Sequence, residues 1–312
     1  MNIYTLELIN KSSANRKKLN LFDKQINGQI DLKKFSLIKK FICNDNKITE
    51  IINFSNNLLM INCSNNLITK LDNLPELLVE LNCSQNKICQ LDNLNSKLVK
   101  LDCSKNCIIQ LDYLPESIKE LNCYNNYIVS LDNLPISLSK LNCGLNELIQ
   151  LDNLPKLLIK LGCDMNNITN LKKLPDSLVK LNCSQNKIGQ LDNLPEKIIV
   201  LDCWECDIIN LDYLPNSIVK LNCSDNKIVL FKSLPSVLKE LFCSKNQLSS
   251  LLEILPISLE ILACDGNKIK ENVNINKLSN LRELNCMNNL ITKIDSLPNS
   301  LQFLYCDKKK NY

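Results

Sequence analysis

Fourteen cysteines of this chain share one register: Cys43, Cys63, Cys83 and onward every twenty residues to Cys243, then Cys264, Cys286 and Cys306. A period this short means that each repeat is one small supersecondary unit, which buries its apolar side only by stacking on its neighbours. A solenoid is therefore expected, with about 15 repeats over residues 19–306, an N-terminal cap over residues 1–18 and a basic tail over residues 307–312. In such a chain function lies on an extended surface.

The columns of the repeat have separate physical reasons. From Leu78 the unit runs Leu78, Leu81, Cys83, Asn86, Ile88, Leu91 and Leu94, or LxxLxCxxNxI followed by a second apolar pair. Leu81 and Cys83 alternate with Asn82, the period of a strand with one buried face, and the cysteine serves as a small hydrophobe. The asparagine three residues after each cysteine is structural: its amide can satisfy buried backbone groups and pair with the asparagine of the next rung. Asp72, Asp92, Asp112, Asp132, Asp152, Asp192 and Asp212 form a further column, and stacked like charges repel. An Asx-type turn, with each carboxylate accepting a local N–H, accounts for them. A cation-binding strip is the functional alternative, although calcium gathers several oxygen ligands around one ion. All ten prolines share one register, from Pro75 to Pro298. Twenty residues with a proline there leave no room for a regular outer helix, so the convex wall should be extended or single-turn and the curvature mild.

This pattern resembles the leucine-rich repeat family, whose signature is L-x-x-L-x-L-x-x-N/C-x-L. The resemblance covers about residues 19–306 and is nearest to the short, roughly 20-residue bacterial-effector type, whose second half carries Leu-Pro-x-Leu-Pro. Here Leu111-Asp112-Tyr113-Leu114-Pro115 keeps the second proline and replaces the first with aspartate. The bias to Asn, Ile and Lys, with the cysteine column, also resembles repeat proteins encoded by giant viruses of amoebae. The resemblance implies an α/β-class leucine-rich-repeat solenoid, with a parallel β-sheet on the concave face and an extended or short-helical convex face. It also implies a binding scaffold. The bacterial effectors of this type often carry a ubiquitin-ligase domain after the repeats, and none is expected here.

Composition narrows the chemistry. The chain has no histidine, which excludes histidine acid/base and triad catalysis, and its five scattered glycines form no phosphate loop. Cys203-Trp204-Glu205-Cys206 is the one CxxC; Cys203 belongs to the buried column and Cys206 takes an Asn-column place, so neither a metal site nor a redox pair is expected. No cofactor is implied, and the chain is read as not an enzyme. A net charge of +4 does not imply a polyanion partner, so nucleic acid is not expected. Residues 1–10 carry Glu7 and lack a basic start, and no stretch reaches the ~18 apolar residues of a membrane span, so neither targeting peptide nor membrane attachment is expected. Buried thiols argue for a reducing compartment. Sequons such as Asn82-Cys83-Ser84 would put glycans on the strands of a secreted chain. The cytoplasm is the expected location, the host's if the chain is viral.

A partner should bind where the exposed columns leave their consensus. The residue after each cysteine is mostly serine and the residue before it mostly asparagine, yet Tyr124, Gly144, Leu145, Gly162, Asp164, Met165, Trp204 and Glu205 depart from this between the fifth and ninth cysteines. Tyr124, Leu145, Met165, Trp204 and Glu205 are the partner-binding candidates, with Trp204, the only tryptophan, expected to point outward. Drift in a tolerant repeat gives the same pattern. Lys140, Lys160 and Lys180 join them, in a lysine column interrupted by Glu80, Glu120 and Glu240 that suits an acidic or mixed-charge protein surface better than a phosphate backbone. The function expected is a non-enzymatic protein-interaction scaffold that binds a partner protein on its concave face, in the manner of a viral or effector-like host-interacting protein. A self-associating structural protein, joined weakly end to end, and a substrate-recognition subunit of a ubiquitin ligase are the alternatives.

Overall fold

A computed structural model describes residues 16–270 and 273–307. Backbone contacts divide the chain into two units, Met1–Leu158 and Ile159–Tyr312. The expected cap, residues 1–18, lies outside the described residues up to residue 15, and so do residues 308–312 of the expected tail.

The first unit stacks seven three-residue parallel strands: Lys18–Asn20, Lys40–Ile42, Met60–Asn62, Glu80–Asn82, Lys100–Asp102, Glu120–Asn122 and Lys140–Asn142. A second, outer pair, Asn27–Asp31 with Lys47–Ile52, covers its first rungs. The second unit stacks eight: Lys160–Gly162, Lys180–Asn182, Val200–Asp202, Lys220–Asn222, Glu240–Phe242, Ile261–Ala263, Glu283–Asn285 and Phe303–Tyr305. Register is strict, with Leu81 opposite Leu101 and Leu101 opposite Leu121. Hence each column of the sequence becomes a ladder in space.

In both units these ladders are the core. Ile88, Leu98, Cys103 and Ile108 are fully buried, and Leu101 nearly so. Each buried aliphatic side chain contributes on the order of 1.5–3 kcal/mol. Every cysteine of the column from Cys43 to Cys286 is buried, and every cysteine of the chain is a free thiol. Burial pushes the Cys63 and Cys123 thiols up to about 12, so they stay protonated at neutral pH.

The asparagine column works differently from its expected side-chain pairing. Asn106 donates from Nδ2 to the carbonyls of Cys83, Cys103 and Ser104 at 3.1, 3.0 and 3.2 Å, while its Oδ1 accepts the Ile88 N–H at 3.0 Å. One amide thus closes its own turn and clamps the preceding rung through the backbone. The same set recurs at Asn86 and Asn146 in the first unit and at Asn226 and Asn246 in the second, and Asn126 makes all of it but the bond two residues back.

The proline register marks one turn. The carbonyls of Pro75, Pro115 and Pro135 accept the N–H three residues on, from Leu78, Ile118 and Leu138, all at 3.1 Å. Proline brings no N–H of its own, and this part of the turn is mostly buried. The outer wall is extended, as expected. Among the described residues the only helical element is a 3-10 turn, Leu252–Ile254, which takes up the extra residue of the 21-residue step from Cys243 to Cys264. The aspartate column departs from expectation. Its carboxylates reach outward: Asp72 meets Lys70 at 2.7 Å, Asp212 meets Lys232 at 2.7 Å and Asp192 accepts Gln190 Nε2 at 2.9 Å, and among the described residues none of the column accepts a local backbone N–H. The turn is made instead by the next residue, with Asn73, Asn93, Asn153 and Asn193 at φ of 54–55°, a conformation asparagine tolerates.

Two substitutions test these roles. Asn106→Ala leaves the buried Ile88 N–H without its acceptor and takes one of two donors from each of the carbonyls of Cys83, Cys103 and Ser104, and should cost about 2–4 kcal/mol in urea unfolding of the whole chain. Asn95 stands where the neighbouring repeats have proline, and its Nδ2 is buried without a partner. Asn95→Pro should therefore stabilise by about 1 kcal/mol, read as a higher urea midpoint at unchanged slope.

Candidate functional site

Each strand presents its first and third residues, and the residue after the cysteine, on the face opposite the core. The residue two after the cysteine then enters a left-handed turn: φ is 58° at Asn125 and 51° at Leu145 in the first unit, and 55° at Met165 and 53° at Glu205 in the second. Leu145, Met165 and Glu205 therefore stand on the rim at the strands' C-terminal ends. Tyr124, Trp204 and the three lysines lie on the strand face itself. A left-handed leucine or methionine is costlier than asparagine there, by about 1 kcal/mol.

In the first unit, register places Glu120 between Lys100 and Lys140. Lys140 Nζ reaches Glu120 at 2.6 Å and Lys100 Nζ at 3.7 Å. The hydrogen bond from Lys140 holds the Glu120 carboxyl below its ordinary range, against the effect of partial burial and with help from the Lys100 charge. Lys140 is thus already engaged. Tyr124 is half-buried; its carbonyl accepts the Lys105 N–H at 2.7 Å, and its N–H donates to Asn122 Oδ1 at 3.3 Å. Gly144 is the residue of the same column on the next rung, followed by Leu145, so Tyr124 and Leu145 sit on adjacent rungs.

In the second unit the lysines behave otherwise. Lys160 and Lys180 are direct cross-strand partners, both exposed, and among the described residues neither has an acidic partner. Lys220, two rungs further, is bound to Glu240 at 2.6 Å and lies 5.2 Å from the Phe242 ring centre. Like charges directly opposite on one sheet face repel. The next columns carry acid. Asp202 Oδ1 accepts Ser184 Oγ at 2.8 Å and Asn222 Nδ2 at 3.1 Å. Burial pushes the Asp164 carboxyl up; a hydrogen bond from its own backbone opposes this and the Asp202 charge adds to it. Trp204 follows Asp202 by two residues on the same face. It is half-buried, less exposed than its register alone suggests, and its carbonyl accepts the Gln185 N–H at 2.8 Å. Beside it Gln185 Nε2 donates to Glu205 at 2.9 Å. Trp204, Glu205 and the Asp202 cluster thus come together, with Lys160 and Lys180 at the opposite edge of the strands.

The CxxC resolves as a variation of the asparagine column. Cys203 is buried in the core ladder, and Cys206 Sγ stands in the amide's place, donating to the Cys183 carbonyl at 3.1 Å and the Trp204 carbonyl at 3.5 Å. Among the described residues no three His, Cys, Asp or Glu side chains gather as metal ligands, and no helix is long and apolar enough to cross a membrane. Sequence reasoning named Lys160 and Lys180 but not their lack of an acidic neighbour, although the signal was present: Lys140, Lys160 and Lys180 follow one another in a column that carries glutamate at Glu80, Glu120 and Glu240.

No family model and no curated protein matches the chain significantly. Solved structures do. YopM from Yersinia pestis, a leucine-rich effector protein, is 28% identical, with a TM-score of 0.82 over 94% of this chain and 89% of its own. YopM from Yersinia enterocolitica is 26% identical, with a TM-score of 0.68 over 93% of this chain and 78% of its own. The functional domain of InlJ from Listeria monocytogenes, which includes a cysteine ladder, is 28% identical, with a TM-score of 0.80 over 90% of this chain and 65% of its own. The repeat signature, the ladders it builds and these likenesses together show that the chain folds as a leucine-rich-repeat solenoid.

Proposed function

We propose that the protein is a non-enzymatic interaction scaffold that takes a mixed-charge segment of a partner protein across the strand face of its second unit. Trp204 carries this reading: an aromatic ring stands in a column that in this unit is mostly serine and aspartate, between charges that the chain itself leaves unbalanced. A partner carboxylate over Lys160 and Lys180 would relieve their mutual repulsion. A partner lysine, arginine or amide would meet Asp202 and the half-buried Asp164, and an apolar side chain would pack on Trp204, with Met165 on the rim two rungs away. Large aromatic anchors flanked by charges dominate the energetics of such surfaces. The likeness to a leucine-rich effector protein supports a host-directed role for the scaffold, with a reducing cytoplasm as its setting. Tyr124 and Leu145 supply a second aromatic and apolar step on the first unit, where the charges are already paired.

Affinity capture with quantitative mass spectrometry tests this, using the full chain, Trp204→Ala, and Tyr213→Ala as an exposed control off the strand face. The expected result is a set of proteins retained by wild type and Tyr213→Ala and lost at least tenfold with Trp204→Ala, with retention falling as salt rises. Identical retention by Trp204→Ala would remove the strand face of the second unit as the binding surface.

A further inference from the structure

Two cysteines stand outside the cysteine ladder and its asparagine column, Cys89 and Cys107, while Cys306 ends the ladder only partly buried. Cys89 and Cys107 look unrelated in the sequence, one six residues after its column cysteine and the other four. The fold brings them together. On the flank of the first unit the Cys107 N–H donates to the carbonyl of Ile88 at 2.9 Å, which sets Cys107 across from Cys89 on the adjoining rung. Burial first, and then the Cys89 thiol beside it, push the Cys107 thiol up, and Cys89 Sγ faces the Lys87 carbonyl at 3.7 Å. Cys89 is exposed and Cys107 partly so.

We propose that Cys89 and Cys107 form a thiol–disulfide exchange site that closes to a cross-rung disulfide when it meets a low-molecular-weight disulfide such as glutathione disulfide. Neighbouring rungs lie about 4.8 Å apart, within the Cα separation of roughly 4.4–6.8 Å that a disulfide spans. The pair sits in irregular backbone on the flank, outside the hydrogen-bonded strands, so the side chains are free to rotate into bonding geometry. Exposed Cys89 meets the oxidant first. Its thiolate attacks one sulfur of the small disulfide, forming a mixed disulfide and expelling one thiolate. The Cys107 thiolate then attacks the Cys89 sulfur, forming the protein disulfide and expelling the second thiolate. Two protein thiols lose two electrons and two protons, and the small disulfide gains both. The buried ladder cannot compete: burial and neighbouring thiols push Cys83 and Cys103 far up, leaving almost no thiolate to attack.

The full chain, equilibrated in glutathione buffers of increasing disulfide content, quenched in acid, alkylated and peptide-mapped, decides this. Wild type should carry the Cys89–Cys107 bond, with glutathione on Cys89 at less than a tenth of its level in Cys107→Ser. Cys83 and Cys103 should remain reduced. Stable glutathione on Cys89 of the wild type, both thiols reduced in the most oxidising buffer, or ladder cysteines exchanging as readily as Cys89 would each overturn the proposal. The wild-type map alone separates these results, so the decision does not depend on the variant folding.

Discussion

Everything in this fold hangs on the asparagine that follows each strand. A 20-residue coil turns too tightly to pair its backbone groups within itself, and the turn after the strand would bury carbonyls without donors. Asn106 shows the solution: one amide donates to two carbonyls of its own turn and one of the preceding rung, and takes that rung's Ile88 N–H in return. The side chain thus substitutes for a ladder where the backbone cannot supply one. It also sets the distance between rungs, and so the contact of one leucine layer with the next. Buried amides that are fully satisfied rigidify; a missing one orphans the N–H of the preceding rung and takes one of two donors from each carbonyl it served.

Cys206 shows how much of this depends on amide chemistry rather than size. Its sulfur keeps weak contacts to the Cys183 and Trp204 carbonyls, but a thiol has no counterpart to the amide oxygen that accepts the N–H of the preceding rung. At this rung the flank takes a different path, with Gly189 at φ 68° donating its N–H to the Cys206 carbonyl at 2.9 Å and Asp207 at φ 59°. Trp204 lies two residues before this irregularity. The loss of one clamp and the gain of an aromatic on the strand face therefore fall in one rung.

The ladders, the buried cysteines and the extended outer wall were legible in the sequence, because burial on one face repeats with the period of the chain. Three things were not. The aspartate column suggested a capping carboxylate, whereas the conformational demand falls on the asparagine after it, and an Asp-Asn dipeptide does not reveal which partner bends. Leu145 and Met165 counted as face residues because nothing in an apolar side chain announces a left-handed backbone. Cys89 and Cys107 were separated by counting in twenties. That count describes the strands, where Leu81 meets Leu101, but on the flank the bond from Cys107 to Ile88 spans nineteen residues, so diagonal neighbours are missed by a column reading.

The same distinction explains why the candidate site could be named but not resolved from the sequence. A repeat fixes the residues that face inward or close turns and leaves free those on the strand face, so a departure there carries no folding cost and no explanation within its own rung. Its meaning appears only against its lateral neighbours. Lys140 and Lys160 are the same letter in the same column, yet Lys140 has Glu120 beside it at 2.6 Å, and Lys160 faces Lys180. Exposed pairs of this kind are worth little to stability, on the order of 0–1 kcal/mol, so folding does not select between them. A binding partner does, because at a desolvated interface an unbalanced charge must be met by its opposite. Residues that stability leaves free and that their neighbours leave unbalanced are where this scaffold can acquire a specific partner.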